Sequence, residues 1–126
     1  MESLNCKSLM IGDWLYYKGQ FNAFPFKVES ITKKKVGYYA EPNDHRIYYL
    51  RLSECKPIPL TPEILEKNGF VKESRENYGN NLQYCILTDG LWIDISGENF
   101  FEGKLEYVHQ LQQALRLCGI EKTIEL

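Results

Sequence analysis

His109, Gln113 and Arg116 are the side chains whose types and spacing come closest to a chemical site. On a helix they fall along one stripe, so an imidazole, a carboxamide and a guanidinium point the same way. Such a stripe can receive a phosphate or a carboxylate. The same groups can also cap a neighbouring strand or simply face water. A cysteine nucleophile would need a thiol within hydrogen-bond reach of His109. Cys118 falls on the apolar arc of that helix and Cys85 on a strand, so the pattern does not support one.

Asp89 stands beside Gly90, where turn chemistry explains it, and Asp94 makes no acid–base pair with it. His45 next to Asp44 reads as a loop residue. Two His and four scattered Cys have no zinc spacing. Gly12, Gly19 and Gly37 are isolated and build no phosphate loop. The expectation is no catalytic residue, no metal and no cofactor.

A second candidate surface comes from the doublets Tyr16-Tyr17, Tyr38-Tyr39 and Tyr48-Tyr49. Adjacent residues on a strand face opposite ways, so each doublet sends one ring inward and one outward. Tyr17, Tyr39 and Tyr49 are assigned outward. Lys33, Lys34, Lys35, Arg46 and Arg51 lie close to them in sequence. Outward rings with a basic rim form a stacking platform for single-stranded nucleic acid or a nucleotide. The alternative is β-propensity with cross-strand aromatic pairing.

These residues need strands and helices to hold them. The first half reads as short strands: Leu9 to Tyr17, with Gly12-Asp13 as a bulge or early turn, Phe24 to Ile31, Val36 to Glu41 and Arg46 to Leu52. The connector 42–45 is rich in turn formers. Pro57 and Pro59 then hold the chain extended. Thr61 is a good N-cap, Pro62 suits the first helical position and Gly69 the stop. Leu82 to Leu87 and Leu91 to Ser96 read as a hairpin around Thr88-Asp89-Gly90, preceded by a polar turn at 77–81. Residues 105–118 carry the clearest helical period, through Val108, Leu111, Leu115 and Cys118. The tail 122–126 alternates like an edge strand.

Composition is that of a folded chain: 126 residues, 44% hydrophobic and 25% charged. The net charge of −2 is unevenly spread. Residues 1–60 hold nine Lys/Arg against six Asp/Glu, whereas 61–126 hold six against eleven. The basic half can attract an anionic partner or dock on the acidic half. The N-terminal residues lack a secretory pattern, and no apolar run approaches the ~18 residues of a membrane span. A cytoplasmic protein without a membrane partner is expected, its cysteines free thiols.

Three segments carry a resemblance. The run from Lys56 to Leu65, followed by Asn68-Gly69-Phe70, resembles a "PIPLTEEIL…GF" signature. The run from Tyr107 to Gln112, with Gly119 beyond it, is similar to "YVHQLQNLYFALTG", and Met10 to Tyr16 to "RIGNYVY". They occur in the order found in a family of small uncharacterised proteins of gut anaerobes, commonly encoded in prophages and mobile elements. The resemblance spans nearly the whole chain and implies no activity. Ala114 to Cys118 departs from the aromatic part of the second signature, so packing by those aromatics does not carry over.

The expected fold is α+β. A β-rich lobe, 1–56, forms a small SH3-like barrel or curled antiparallel sheet. A lobe at 57–126 follows as helix, β-hairpin, helix and strand. The expected function is a non-enzymatic binding or adaptor protein of phage or mobile-element origin, acting through protein or small-ligand recognition. The alternative is a nucleic-acid-binding accessory protein using the Tyr/Lys/Arg surface.

Overall fold

The computed structural model describes residues 4–20, 22–41, 43–76 and 79–126. Pro42 of the connector, and Asn77 and Tyr78 of the polar turn, lie outside the described residues. Helix and sheet are mixed, as in the α+β class. The chain divides into two compact units, Met1–Ile58 and Pro59–Leu126.

The first unit has strands β1 (Trp14–Lys18), β2 (Ala23–Lys27), β3 (Ser30–Ile31), β4 (Lys35–Tyr38), β5 (Tyr48–Arg51) and β6 (Cys55–Pro57). They form two antiparallel three-stranded sheets, β2-β1-β6 and β3-β4-β5. Neither closes, so the SH3-like barrel is corrected to a pair of small open sheets. The physical reason lies at Val28. Phe24 to Ile31 alternates like a single strand, but its backbone changes partner there. Val28 donates to Asp13, beside β1, and Glu29 donates to Gly37 of β4. What remains for β3 is two residues, too short to carry a ladder round a barrel.

Pro25 sits on β2, an edge strand, where its missing N–H breaks no ladder. The early turn is a β-turn from Met10 to Asp13 with Gly12 at φ 93. Asp13 is buried, and its carboxylate accepts from the N–H of Met10. The core gathers Leu15, Phe26, Val28, Val36, Leu52 and Cys55. A chain of rings from Tyr17 through Phe24 and Tyr38 to Tyr48 extends it, with centroids 5.3, 5.5 and 5.8 Å apart.

The second unit starts with α1 (Pro62–Lys67). The Thr61 hydroxyl accepts from the Ile64 N–H at 3.2 Å and Pro62 opens the helix. Past the end, Gly69 takes φ +89. Its N–H donates to Glu66, and that of Phe70 to Leu65, a Schellman closure. Thr61→Ala is expected to cost about 1 kcal/mol. An unchanged urea midpoint for that variant would remove the cap from this account.

Four strands follow: β7 (Val71–Lys72), β8 (Leu82–Leu87), β9 (Gly90–Ser96) and β10 (Phe100–Leu105), in the order β10-β9-β8-β7. The β8–β9 hairpin turns on Thr88-Asp89, and Gly90 already pairs with Leu87. β7 runs parallel to β8. α2 (Val108–Leu117) contacts β10 and buries Val108, Leu111 and Leu115. Gln110 accepts from the N–H groups of Glu106 and Tyr107, tying the entry of α2.

Two expectations for this unit are corrected. The hairpin is the middle of a four-stranded sheet, because β10 adds a strand that charged and glycine positions disguise: Glu102, Gly103 and Lys104 interrupt its apolar pattern. The tail at 122–126 forms no strand. Its Glu125 backbone is held by a side chain, Asn68, rather than by a ladder.

No helix among the described residues is long and apolar enough to cross a membrane.

Candidate functional site

β4 and β5 place the candidate surface. Their register pairs Lys35 with Arg51, Gly37 with Tyr49 and Tyr38 with Tyr48. Alternation then sorts the rows. Val36, Leu50, Tyr38 and Tyr48 take the face that carries the core, and Lys35, Arg51 and Tyr49 the opposite, outer face. Gly37 leaves a gap in the outer row, and Tyr49 leans across it. A Cβ built on Gly37 would stand 2.6 Å from the Ile47 side chain, 3.1 Å from the Ser30 Cβ and 3.2 Å from the Tyr49 ring, so Ile47 and Tyr49 close over that gap together. Tyr49 as a residue nevertheless remains 53% exposed.

Lys35 and Arg51 are therefore like charges directly opposite on one face, an arrangement that disfavours the sheet by itself. Among the described residues neither is in an ion pair, nor is Lys33, Lys34 or Arg46. All five are exposed. Lys33 and Lys34 sit in the turn entering β4; Arg46 precedes β5. From Ser30 to Arg51 the only acidic residues are Glu41 and Asp44. The Asp44 carboxylate is engaged by the Arg46 backbone N–H at 2.9 Å. Tyr39 lies just past β4, two residues beyond Gly37, and is exposed.

Tyr17 does not join this surface. It is half-buried against Phe24, and its hydroxyl donates to Glu54. Burial, followed by the Glu54 carboxylate, holds its phenol above the ordinary tyrosine range. Tyr16 is the exposed member of that doublet. The signal was available in Leu15, which is fully buried and fixes the phase of β1 so that Tyr17 follows it inward. Trp14 was missed as well. It pairs across the sheet with Lys27, whose ammonium lies 5.2 Å from the indole centroid.

The helical stripe divides. His109 is only 6% exposed, and its ring stacks on Tyr107 with centroids 5.9 Å apart. Gln113 is half-buried and Arg116 exposed. The imidazole is thus part of the packing at the start of α2, and the three groups do not present one open face. Helical spacing placed them on a stripe; the breadth of the packed face took His109 and Gln112 inside as well.

The cysteines carry no sign of activation. The Cys55 thiol donates to the Arg51 carbonyl, and burial, followed by the Glu54 charge, pushes it up to about 12. Burial also raises Cys118. At pH 8 an alkylating reagent is expected to leave Cys55 unmodified in the folded chain and to modify it in urea. Peptide mass mapping checks this; rapid native labelling of Cys55 would contradict the packing described. Among the described residues no cluster of three or more His, Cys, Asp or Glu could hold a metal ion.

No family model, no curated protein and no solved structure matches this chain.

Proposed function

We propose that this chain is a non-catalytic binding protein that takes an anionic partner on the outer face of the β3-β4-β5 sheet. The observation that carries this reading is the cross-strand pair Lys35–Arg51, two unneutralised cations beside the exposed ring of Tyr49. An anion placed between them removes their mutual repulsion and gains charge-assisted hydrogen bonds. Free binding energy is therefore available at this spot.

The excess of Lys/Arg over Asp/Glu in residues 1–60 adds a longer-range pull on the same class of partner. The likeness to proteins carried on prophages and mobile elements supports an accessory role in the cytoplasm, exerted on host components. That part rests on context rather than on site chemistry.

The test uses isotope-labelled full chain, titrated at low salt with poly-glutamate and, separately, with oligo-dT. Amide shifts for at least one probe should cluster on Lys35, Gly37, Tyr49 and Arg51, and Lys35→Ala/Arg51→Ala should abolish them. If neither polyanion perturbs this face, the binding surface is elsewhere and the reading fails.

A further inference from the structure

We infer that the anionic partner of the β3-β4-β5 face is single-stranded nucleic acid, held by base stacking on Tyr49 and by phosphate contacts to Lys35 and Arg51. The inference rests on the binding surface proposed above and names its ligand class. Charge alone would suit any polyanion. The ring is what discriminates.

Tyr49 is placed where a protein that only needed cations would have no use for it. It stands in the outer row, sharing the space over Gly37 with Ile47, and as a residue it is more than half exposed. Its ring edge lies over Gly37 of the neighbouring strand, where the Ile47 side chain also reaches, without the residue being covered. A restrained, open aromatic face is what a nucleobase stacks on, and every base has a π-face, so sequence matters little. An acidic peptide gains nothing comparable from that ring.

Cations flank the platform in the next row. Lys35 and Arg51 lie two residues from Gly37 and Tyr49 along their strands, about 7 Å away. That separates the phosphate contacts from the stacked base. In the other direction Tyr39 stands two residues past Gly37 and offers a second ring. Lys33 and Lys34 continue the basic side into the turn. Rings at one end of the face and cations at the other form a track that a strand can follow with its backbone toward the turn. A duplex has its bases already stacked and offers none to Tyr49, so single strands are preferred.

The test is fluorescence anisotropy of a labelled 12-mer dT with the full chain, from low to physiological salt. Binding should weaken with salt. The log–log slope is expected near −2, about −0.7 for each of roughly three phosphates neutralised. Tyr49→Ala should weaken binding about ten-fold or more. Tyr16→Ala, on the other sheet, should leave it unchanged. Lys35→Ala should lower the salt slope by about one phosphate equivalent. A readout that needs no variant is the aromatic ring itself: the Tyr49 ring protons should shift upfield with dT.

Three results overturn the inference. One is no anisotropy change at low salt. Another is a duplex bound as tightly as the single strand. The third is binding indifferent to Tyr49→Ala with the ring protons unmoved. If poly-glutamate shifts this face while dT does not, the binding surface stands and the nucleic-acid assignment falls. If neither acts there, both fall.

Discussion

Phe70→Ala is expected to lower the stability of the second unit by about 3–5 kcal/mol, the range for a large aromatic removed from a packed interior. Phe70 is 2% exposed. It also occupies the position after the Gly69 turn, where an apolar side chain closes the Schellman motif back on the helix. α1 has six residues, and a helix that short does not persist without tertiary packing. Losing the ring therefore removes buried surface and the anchor of α1 together. Urea denaturation read through Trp92, in a Trp14→Phe background, reports on this unit. Phe100→Ala serves as the control, because Phe100 is 81% exposed and its loss should change stability by under about 0.5 kcal/mol. A midpoint for Phe70→Ala close to that control would show that the ring is not holding the unit together.

Asn68→Ala is expected to cost about 3 kcal/mol, although it deletes only three heavy atoms' worth of amide. The side chain is buried and uses both ends. Its Nδ2 donates to the carbonyls of Ile64 and Glu125, each at 2.7 Å, and its Oδ1 accepts from the Glu125 N–H at 2.8 Å. The tail is thus clamped to the end of α1 much as a strand is clamped to its neighbour. Ile124, next to the clamp, is buried. Alanine keeps the Asn68 backbone N–H on the Ile64 carbonyl, but leaves the Glu125 carbonyl and N–H without their side-chain partner, about 1–3 kcal/mol for each that water cannot reach. Asn68→Asp is nearly isosteric and keeps the acceptor, yet it turns the donor into an oxygen facing two carbonyls. It should lose as much as alanine. Hydrogen exchange at Glu125 should accelerate in both variants. Slow exchange there, with stability intact, would mean that the tail has another hold.

Much of the local structure was legible because it depends on near neighbours. The start and stop of α1 follow from Thr61, Pro62 and Gly69, each acting within one turn. The β4–β5 pairing follows from two alternating runs and a turn-rich connector. Failures came where a partner far along the chain decided. Val28 leaves one sheet for the other because of Asp13 and Gly37, which no window around residue 28 contains. β10 has a weak pattern of its own and becomes a strand by pairing with β9. The tail alternates like a strand but meets the Asn68 amide instead of a strand edge.

The candidate surface divides the same way. Residue types alone identified Tyr39, Tyr49, Lys35 and Arg51 as a possible platform, because rings and cations sit at alternating positions on two neighbouring runs. The sequence could not say that Lys35 would lie directly opposite Arg51, or that Tyr49 would lean over Gly37. Register decides both, and register is set by how two strands satisfy each other's backbone groups and bury a common face. It could not take His109 inside either. Inward or outward is a property of the packed whole: a side chain is removed from water only when other elements arrive to cover it.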